Sequence, residues 1–494
     1  MAEPTAPTLR RNALGTWDIF FFVVSAAAPL MVMAGVAPFA LQVGGLGVPT
    51  AYLFAGIVLT VFAVGFTTMS RYVTNGGAFY AYVTKGLGRP AGISAALLAL
   101  VSYNAMQIGM YGLLGISAHD TLSDLWGVNI PWPVLALVGV ALVWFAGYRS
   151  VDFGARVLGV LLAAESGILL LLAIAILVKG GNDGLGVDSF KPAHVFTVGT
   201  ASVLALTFAA FIGFESTAIY RSEARNPRRT IPRATYAAVG FLAVFYSFIC
   251  WTIIQAYGAS NVIAAATKDP VGLFFTAADQ YLGSWAATVM HLLIISSVMA
   301  SLIAFHNAIT RYTLAVTEEG MLPPVLGKVH PRTQSPYIAG IVQTVLAVLV
   351  VLAFALAGAD PYYQLLIWVN TPGVLGIVLL QVAVSLSVPV FFRRIRHTEG
   401  VWQTVIAPVL AAIAMGVALY LMVIHISLLT GASETVNLVL ILTIPVVCVL
   451  GFVWARWLRS ARPEIYAGIG TGDAGQNSPA DSDTSGEDTR LATL

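Results

Sequence analysis

Two carboxylates stand where a carboxylate is expensive. Glu165 lies within "VLGVLLAAESGILLLL" and Glu215 within "TFAAFIGFEST", each in a run of apolar residues. A charged side chain at the centre of a bilayer costs about 3 kcal/mol or more. Such a group therefore marks a proton relay or ion path, or it hydrogen-bonds a neighbour as structure. Glu165 has no cation four residues away in its own segment, and low dielectric favours the neutral form of a carboxyl, the chemistry of loading and releasing a proton. It could equally complete a sodium site with backbone carbonyls and the hydroxyls of Ser296, Ser297 and Ser301. Glu215 follows Phe208 by seven residues, about 10 Å along a helix, which points to a proton link, an inner-gate hydrogen bond or a brace to a neighbouring helix. Both are candidates for coupling to a proton or, alternatively, to sodium.

The elements that position these groups are badly made as helices. "FFVVSAAAPLMVMAGVAPFAL" contains Pro29, Gly35 and Pro38, and "TFAAFIGFES" contains Gly213 among small residues. Proline removes an amide hydrogen and clashes with the preceding turn. Freed backbone groups cost several kcal/mol each in lipid, so breaks persist where protein, water or a ligand satisfies them. Proline and glycine also simply kink membrane helices, but paired interruptions in two halves of a chain point to a transporter's substrate site. The free amides of Leu30 and Met31 suit a carboxylate. Carbonyls near Phe208 to Phe211 suit an ammonium, so a zwitterionic amino acid satisfies both.

Composition sets the solvent for all of this. Of 494 residues 58% are hydrophobic and 10% charged, with a mean hydropathy of +0.85, far from a soluble domain. Apolar segments are expected near 17–43, 48–70, 91–118, 133–148, 156–178, 199–220, 235–257, 284–309, 337–357, 362–391, 402–428 and 436–458. An all-α membrane protein of twelve transmembrane helices follows. Placing both termini in the cytoplasm puts every Lys and Arg on that side except Lys179, Lys191 and Lys268, as positively charged loops require. Five arginines between Arg221 and Arg233 then anchor the cytoplasmic surface. The basic N-terminal stretch reads as a retained first span, since the apolar run is too long for a signal peptide. The polar, acidic C-terminal tail is expected to be disordered. Cys250 and Cys448 both fall in spans, where packing is the natural role.

Three stretches carry a resemblance: "RYVTNGGAFYAYVTKGLGRPAG", "GFESTAIYRSEARNPRRTIPRA" and "RYTLAVTEEGMLPPVLGKVHPRTQSPYIAG". In this order within a twelve-span pattern they resemble the amino acid-polyamine-organocation permease superfamily. The resemblance implies a five-plus-five inverted repeat with discontinuous helices 1 and 6, two extra C-terminal helices, and alternating access. It divides the chain into a cytoplasmic tail (1–16), a first repeat (17–180), a second repeat (181–395), helices 11 and 12 (396–460) and a cytoplasmic tail (461–494). It implies a plasma-membrane secondary transporter of an amino acid, by symport or exchange. The substrate carboxylate would lie on the Leu30 and Met31 amides and the amine on carbonyls around Ala27, Ala209 and Ile212. Asn104 would line the pocket from the third span, and Phe208 and Phe211 bracket the break, Phe211 as a possible gate. Similar permeases commonly carry a Gly-x-Gly turn where this chain has Pro-Leu-Met, which keeps an amine such as a polyamine or ethanolamine open as substrate. Some relatives carry a lysine where Glu165 stands. A substrate-binding sensor without net transport is the rival reading.

Gln107 and Tyr111 share a helical face with Asn104, either lining a wet pocket or bonding neighbouring helices. His291, His306 and His425 lack ligand spacing, so no metal is expected. "GGLG" at 44–47 follows a membrane helix rather than a strand, so it is not a phosphate loop and no nucleotide is an expected partner. No nucleophile constellation stands in the chain, so no enzyme chemistry is implied, and no nucleic acid is an expected partner. The expected partners are a small amino acid or amine and the lipid bilayer, with no cofactor beyond the coupling ion.

Overall fold

The structure, a computed structural model, describes residues 14–73, 78–149, 155–217 and 224–470. The tail beyond residue 470 and Arg221 of the arginine run lie outside them. The first apolar segment is three short helices: α1 (Thr16–Ala27), α2 (Pro29–Gly35) and α3 (Ala37–Gly44). Asp18 opens α1 by accepting the Gly15 N–H at 2.8 Å. Pro29 has no N–H to continue the ladder, and the chain turns through Ala28 at φ 50°, ψ 74°. A buried alanine in the left-handed region costs about 1–3 kcal/mol and survives because the surrounding packing holds it. Val36 (φ −124°, ψ −39°) makes a second interruption just before Pro38.

The chain continues through α4 (Val48–Met69), α5 (Ala78–Leu87), α6 (Arg89–Trp126), α7 (Trp132–Tyr148) and α8 (Ala155–Lys179). The segment expected near 199–220 is again broken, into α9 (Val198–Ser202), α10 (Leu204–Ala209) and a tight turn around Gly213. There follow α11 (Pro227–Tyr257), the short α12 (Leu273–Leu282), α13 (Ser284–Glu318) and α14 (Tyr337–Leu356). A π-helical stretch, Pro361–Trp368, runs into α15 (Val369–Phe392), and α16 (Ala407–Ile424) and α17 (Glu434–Ala461) complete the bundle.

Among the described residues, eleven helical stretches are long and apolar enough to cross a membrane, and α7 is a shorter apolar helix of 17 residues. The expected apolar segments fall on these helices, the first of them, 17–43, divided between Thr16–Gly35 and the start of Ala37–Met69. At 1.5 Å per residue α7 is about 26 Å long, slightly under the roughly 30 Å hydrocarbon core, whereas the 38-residue α6 overhangs it. α6 is the hub, packed against α5, α7, α13, α15 and α17. Small residues permit this: a Cβ on Gly112 would lie 2.4 Å from the Pro361 carbonyl oxygen, and one on Gly376 would lie 2.1 Å from Ser102 Oγ. The outer faces of α14 and α17 expose Leu349, Val439 and Val449, side chains that hydrocarbon tails cover.

The stretch before α1 is tied to the stretch before α11, where the Arg225 N–H donates to the Leu14 carbonyl at 2.9 Å. Arg71, after α4, meets Glu399, before α16, at 3.0 Å.

Candidate functional site

The two breaks face each other. Gly213 has φ 116°, and a Cβ built there would sit 3.6 Å from the Ala26 Cβ, beside the Ala28 turn. Around Gly213 the ladder tightens to three-residue spacing: Phe211 N–H donates to Phe208 O at 3.2 Å and Ile212 N–H to Ala209 O at 3.0 Å. Because φ of 116° is closed to side-chain-bearing residues whatever the space, Gly213→Ala should destabilise the protein by about 1–3 kcal/mol. Gly240→Ala inside α11, where nothing lies within 4 Å, should be neutral or stabilising. Thermal unfolding of the two variants tests this, and equal shifts would refute a strained break.

A cavity lies between the breaks. Ala26, Ala27, Met31, Val32 and Val36 line it from the first segment, and Ala205, Leu206, Ala209, Ala210 and Ile212 from the second. Met106, Met110 and Leu113 face it from α6, Ser301 and Phe305 from α13, and Leu366, Ile367, Asn370, Thr371 and Val374 from the π-helical stretch and α15. Among the described residues, the side chains with polar atoms on this wall, methionine sulfur aside, are Ser301, Asn370 and Thr371, and none of these is charged. Thr371 Oγ1 donates to its own helix at Ile367 O, 2.7 Å away, and Ser301 Oγ donates to Ala26 O at 2.9 Å. Asn370 Oδ1 is a buried acceptor without a partner among the described residues.

Glu165 stands behind this wall rather than on it. Its carboxyl reaches the open end of α2: Ser297 Oγ donates to Glu165 Oε2 at 2.8 Å, and the Leu30 amide also acts on the carboxyl. The Met31 N–H donates to Ser297 Oγ at 3.2 Å. The first amides of α2, which sequence reasoning offered to a substrate carboxylate, thus face a carboxyl of the protein itself and its serine relay. Three elements meet at this point: α8 brings Glu165, α2 the amides and α13 the hydroxyl. Ser296, on the same turn, bonds its own helix at Leu293 O instead. Among the described residues no group of three His, Cys, Asp or Glu could hold a metal ion.

Glu215 has different company. Tyr103 OH donates to Glu215 Oε1 at 2.6 Å, and the Gly213 N–H donates to Oε2 at 2.9 Å. It is buried, and it caps the turn of its own segment while bracing it against α6.

Other expected residues fall elsewhere. Ala27, Met31, Ala209 and Ile212 line the cavity; Leu30, Asn104, Phe208 and Phe211 do not. Asn104 Nδ2 donates to Leu100 O of its own helix at 2.8 Å. At 100° per residue it points about 200° away from Met106, the residue that does face the cavity. Phe211 is fully buried edge-to-face against Tyr246 at 5.9 Å, and Tyr246 OH donates to Ala27 O at 3.5 Å. Gln107 Nε2 donates to Leu302 O at 3.2 Å and its Oε1 accepts from Gln343, which joins α6 to α13 and α14. Sequence reasoning missed the contribution of the tenth apolar segment. Its signal was "WVNTPG", a polar pair and a proline in an otherwise apolar run. The π-helical turn there is held by Asp360 Oδ1, which accepts the Tyr362 and Tyr363 N–H groups, and by Tyr362 OH, which donates to Gly35 O at 2.8 Å. Such turns recur at functional sites.

Paired helix breaks around a cavity inside a bundle of apolar helices define a multi-pass membrane transporter. The family model for amino acid permeases matches residues 18–466, and the chain belongs to that family. It is 27% identical over 337 residues to an uncharacterized transporter of Mycobacterium bovis, covering 68% of this chain and 72% of that protein. It is 22% identical over 353 residues to a branched-chain amino acid permease of Bacillus subtilis, covering 67% and 72%. A methylthioribose transporter of Bacillus subtilis is 24% identical over 399 residues, covering 75% and 79%.

Proposed function

We propose that the protein is a secondary transporter of an amino acid with an uncharged, apolar side chain, driven by protons through Glu165. The observation that carries the substrate class is the cavity wall, where methionine, leucine, isoleucine, valine and alanine side chains dominate and no carboxylate is present among the described residues. A polyamine would bring two or more ammonium groups into that wall, each a desolvated charge without a counter-ion, at a cost of several kcal/mol apiece. A branched aliphatic side chain loses nothing there, and one relative is named a branched-chain amino acid permease. The substrate ammonium finds acceptors at Asn370 Oδ1 and at the carbonyl end of α10; the aliphatic group rests on Met106, Met110 and Ile367.

In this reading the twelve apolar helices form two inverted repeats of five followed by two more, both termini lie in the cytoplasm, and the substrate passes by alternating access. Glu165 couples the proton because its partners belong to separate elements. Movement of α2 away from α8 and α13 strips the carboxyl of the Ser297 and Leu30 donors that suit its ionised form, so the proton is taken up in one state and released in the other.

Uptake of labelled leucine into proteoliposomes tests this. An inward gradient of one pH unit supplies about 1.4 kcal/mol per proton, enough for about tenfold accumulation at one proton per substrate. Leucine should accumulate and putrescine should not. Binding of leucine without flux would make the protein a sensor, and flux that ignores the gradient but needs internal substrate would make it an exchanger.

A further inference from the structure

The residues joining α16 to α17 put one side chain into the cavity between the breaks. The chain there reads "ISLLT", a single helical turn from Ile426 to Thr430. Ile426 and Leu429 share a face of the turn and are buried, at 5% and 1% exposure, while Leu428 is half exposed. Leu429 lines the cavity. The other lining residues lie on the first, third, sixth, eighth and tenth apolar segments. Among the described residues, Leu429 alone reaches the wall from beyond them.

The turn is fastened on two sides. Trp368 Nε1 donates to the Thr430 carbonyl at 2.9 Å, and Trp368 directly follows Ile367, itself a wall residue. Thr430 Oγ1 donates to Asn437 Oδ1 at 2.5 Å, and Asn437 Nδ2 donates to the Ala432 carbonyl at 3.1 Å, which ties the turn to α17. The turn also packs on α9, the opening of the second broken segment, and on the π-helical stretch. It therefore stands at the end of the bundle where α6 finishes and the π-helical stretch begins. At that end the wall is Val36, Leu113, Ala205, Leu366 and Leu429. A leucine whose backbone is held in this way, in an interior packed as densely as an organic crystal, does not give way to a larger ligand.

We propose that Leu429 is a specificity-determining residue, the stop that limits the substrate side chain to about the size of leucine. The inference rests on the reading of the cavity as an amino acid site. A pocket that ends on a fixed isobutyl group accepts a branched aliphatic side chain and rejects an aromatic ring by overpacking. One methylene in an apolar pocket is worth roughly 10- to 200-fold in discrimination, so shortening the stop changes the preference between leucine and phenylalanine.

Isothermal titration calorimetry of the full-length protein in detergent with leucine, phenylalanine and alanine tests this. The wild type should bind leucine about tenfold or more tighter than phenylalanine. Leu429→Ala should abolish that preference through a gain of about tenfold for phenylalanine, with alanine affinity held within about twofold. Leu429→Val, the milder truncation, should move the ratio the same way by about threefold if Leu429→Ala proves unstable. A turn that only closes the bundle would lose stability in these variants without altering the ratio. An unchanged leucine-to-phenylalanine ratio in the variants, or no preference in the wild type, therefore overturns the proposal. A wild type that binds putrescine and no amino acid refutes the substrate reading instead. The same variants are then compared on putrescine and a longer diamine, where an unchanged ratio still overturns the stop.

Discussion

Glu165→Gln should reduce proton-driven leucine accumulation from about tenfold to none while leaving exchange of internal for external leucine intact. The substitution keeps the volume of the side chain and one oxygen to accept the Ser297 hydroxyl, which lies 2.8 Å from Oε2. What it removes is the capacity to carry a proton. Exchange needs the cavity and the moving helices but no net charge transfer, and the cavity wall does not include Glu165. The two activities are therefore separable in one variant. Glu165→Ala is the contrasting case: it leaves the Ser297 hydroxyl and the Leu30 amide without an acceptor, at a cost of about 1–3 kcal/mol for each buried group left unpaired. A fall in unfolding midpoint is expected for Ala and little change for Gln. If Glu165→Gln still concentrates leucine on a pH gradient, the proton travels elsewhere and the role of Glu165 is to close the end of α2.

How much of this could be seen in the chain alone differs residue by residue. The breaks were legible because proline and glycine act locally: Pro29 cannot donate, and Gly213 admits a backbone angle other residues resist. Glu165 was legible because its cost in lipid depends only on the apolar residues around it in sequence. Its partner, Ser297, was legible only as one of three hydroxyls, because a separation of 132 residues carries no local signal and the selection between Ser296 and Ser297 is a matter of helix rotation. The same rotation hid the pocket face of α6. A helix that is apolar nearly all round gives no amphipathic stripe to orient it, so Asn104, the conspicuous polar residue, drew attention from Met106 and Met110. Asn370 and the π-helical turn were hidden for a further reason, since that turn depends on a contact between Tyr362 and the Gly35 carbonyl, 327 residues apart in sequence. Phe208 and Phe211 flank the break as expected in sequence, yet helical geometry turns both into the packed side of the segment, away from the cavity.

Glu215 should behave as a brace, and that separates it from Glu165. Its donors do not disperse when helices move: the Gly213 N–H is two residues away on the same turn, so that half of its environment travels with it. Tyr103 is the only donor it draws from another element among the described residues, at 2.6 Å. Glu215→Gln should therefore retain close to tenfold proton-driven accumulation while lowering stability, and Tyr103→Phe should lower stability by about 1.5–3 kcal/mol, the range for a hydrogen bond to a charged group. Tyr103 also packs edge-to-face on Phe305, one of the cavity residues, at 6.2 Å, and phenylalanine preserves that contact. Stability loss without loss of leucine affinity is thus expected for Tyr103→Phe. The double variant is the decisive measurement. If the two side chains act through one bond, the combined loss falls short of the sum of the single losses by about 1–3 kcal/mol. Additive losses would mean that the 2.6 Å contact contributes nothing, and loss of accumulation in Glu215→Gln at unchanged stability would move the proton from α8 to the turn at Gly213.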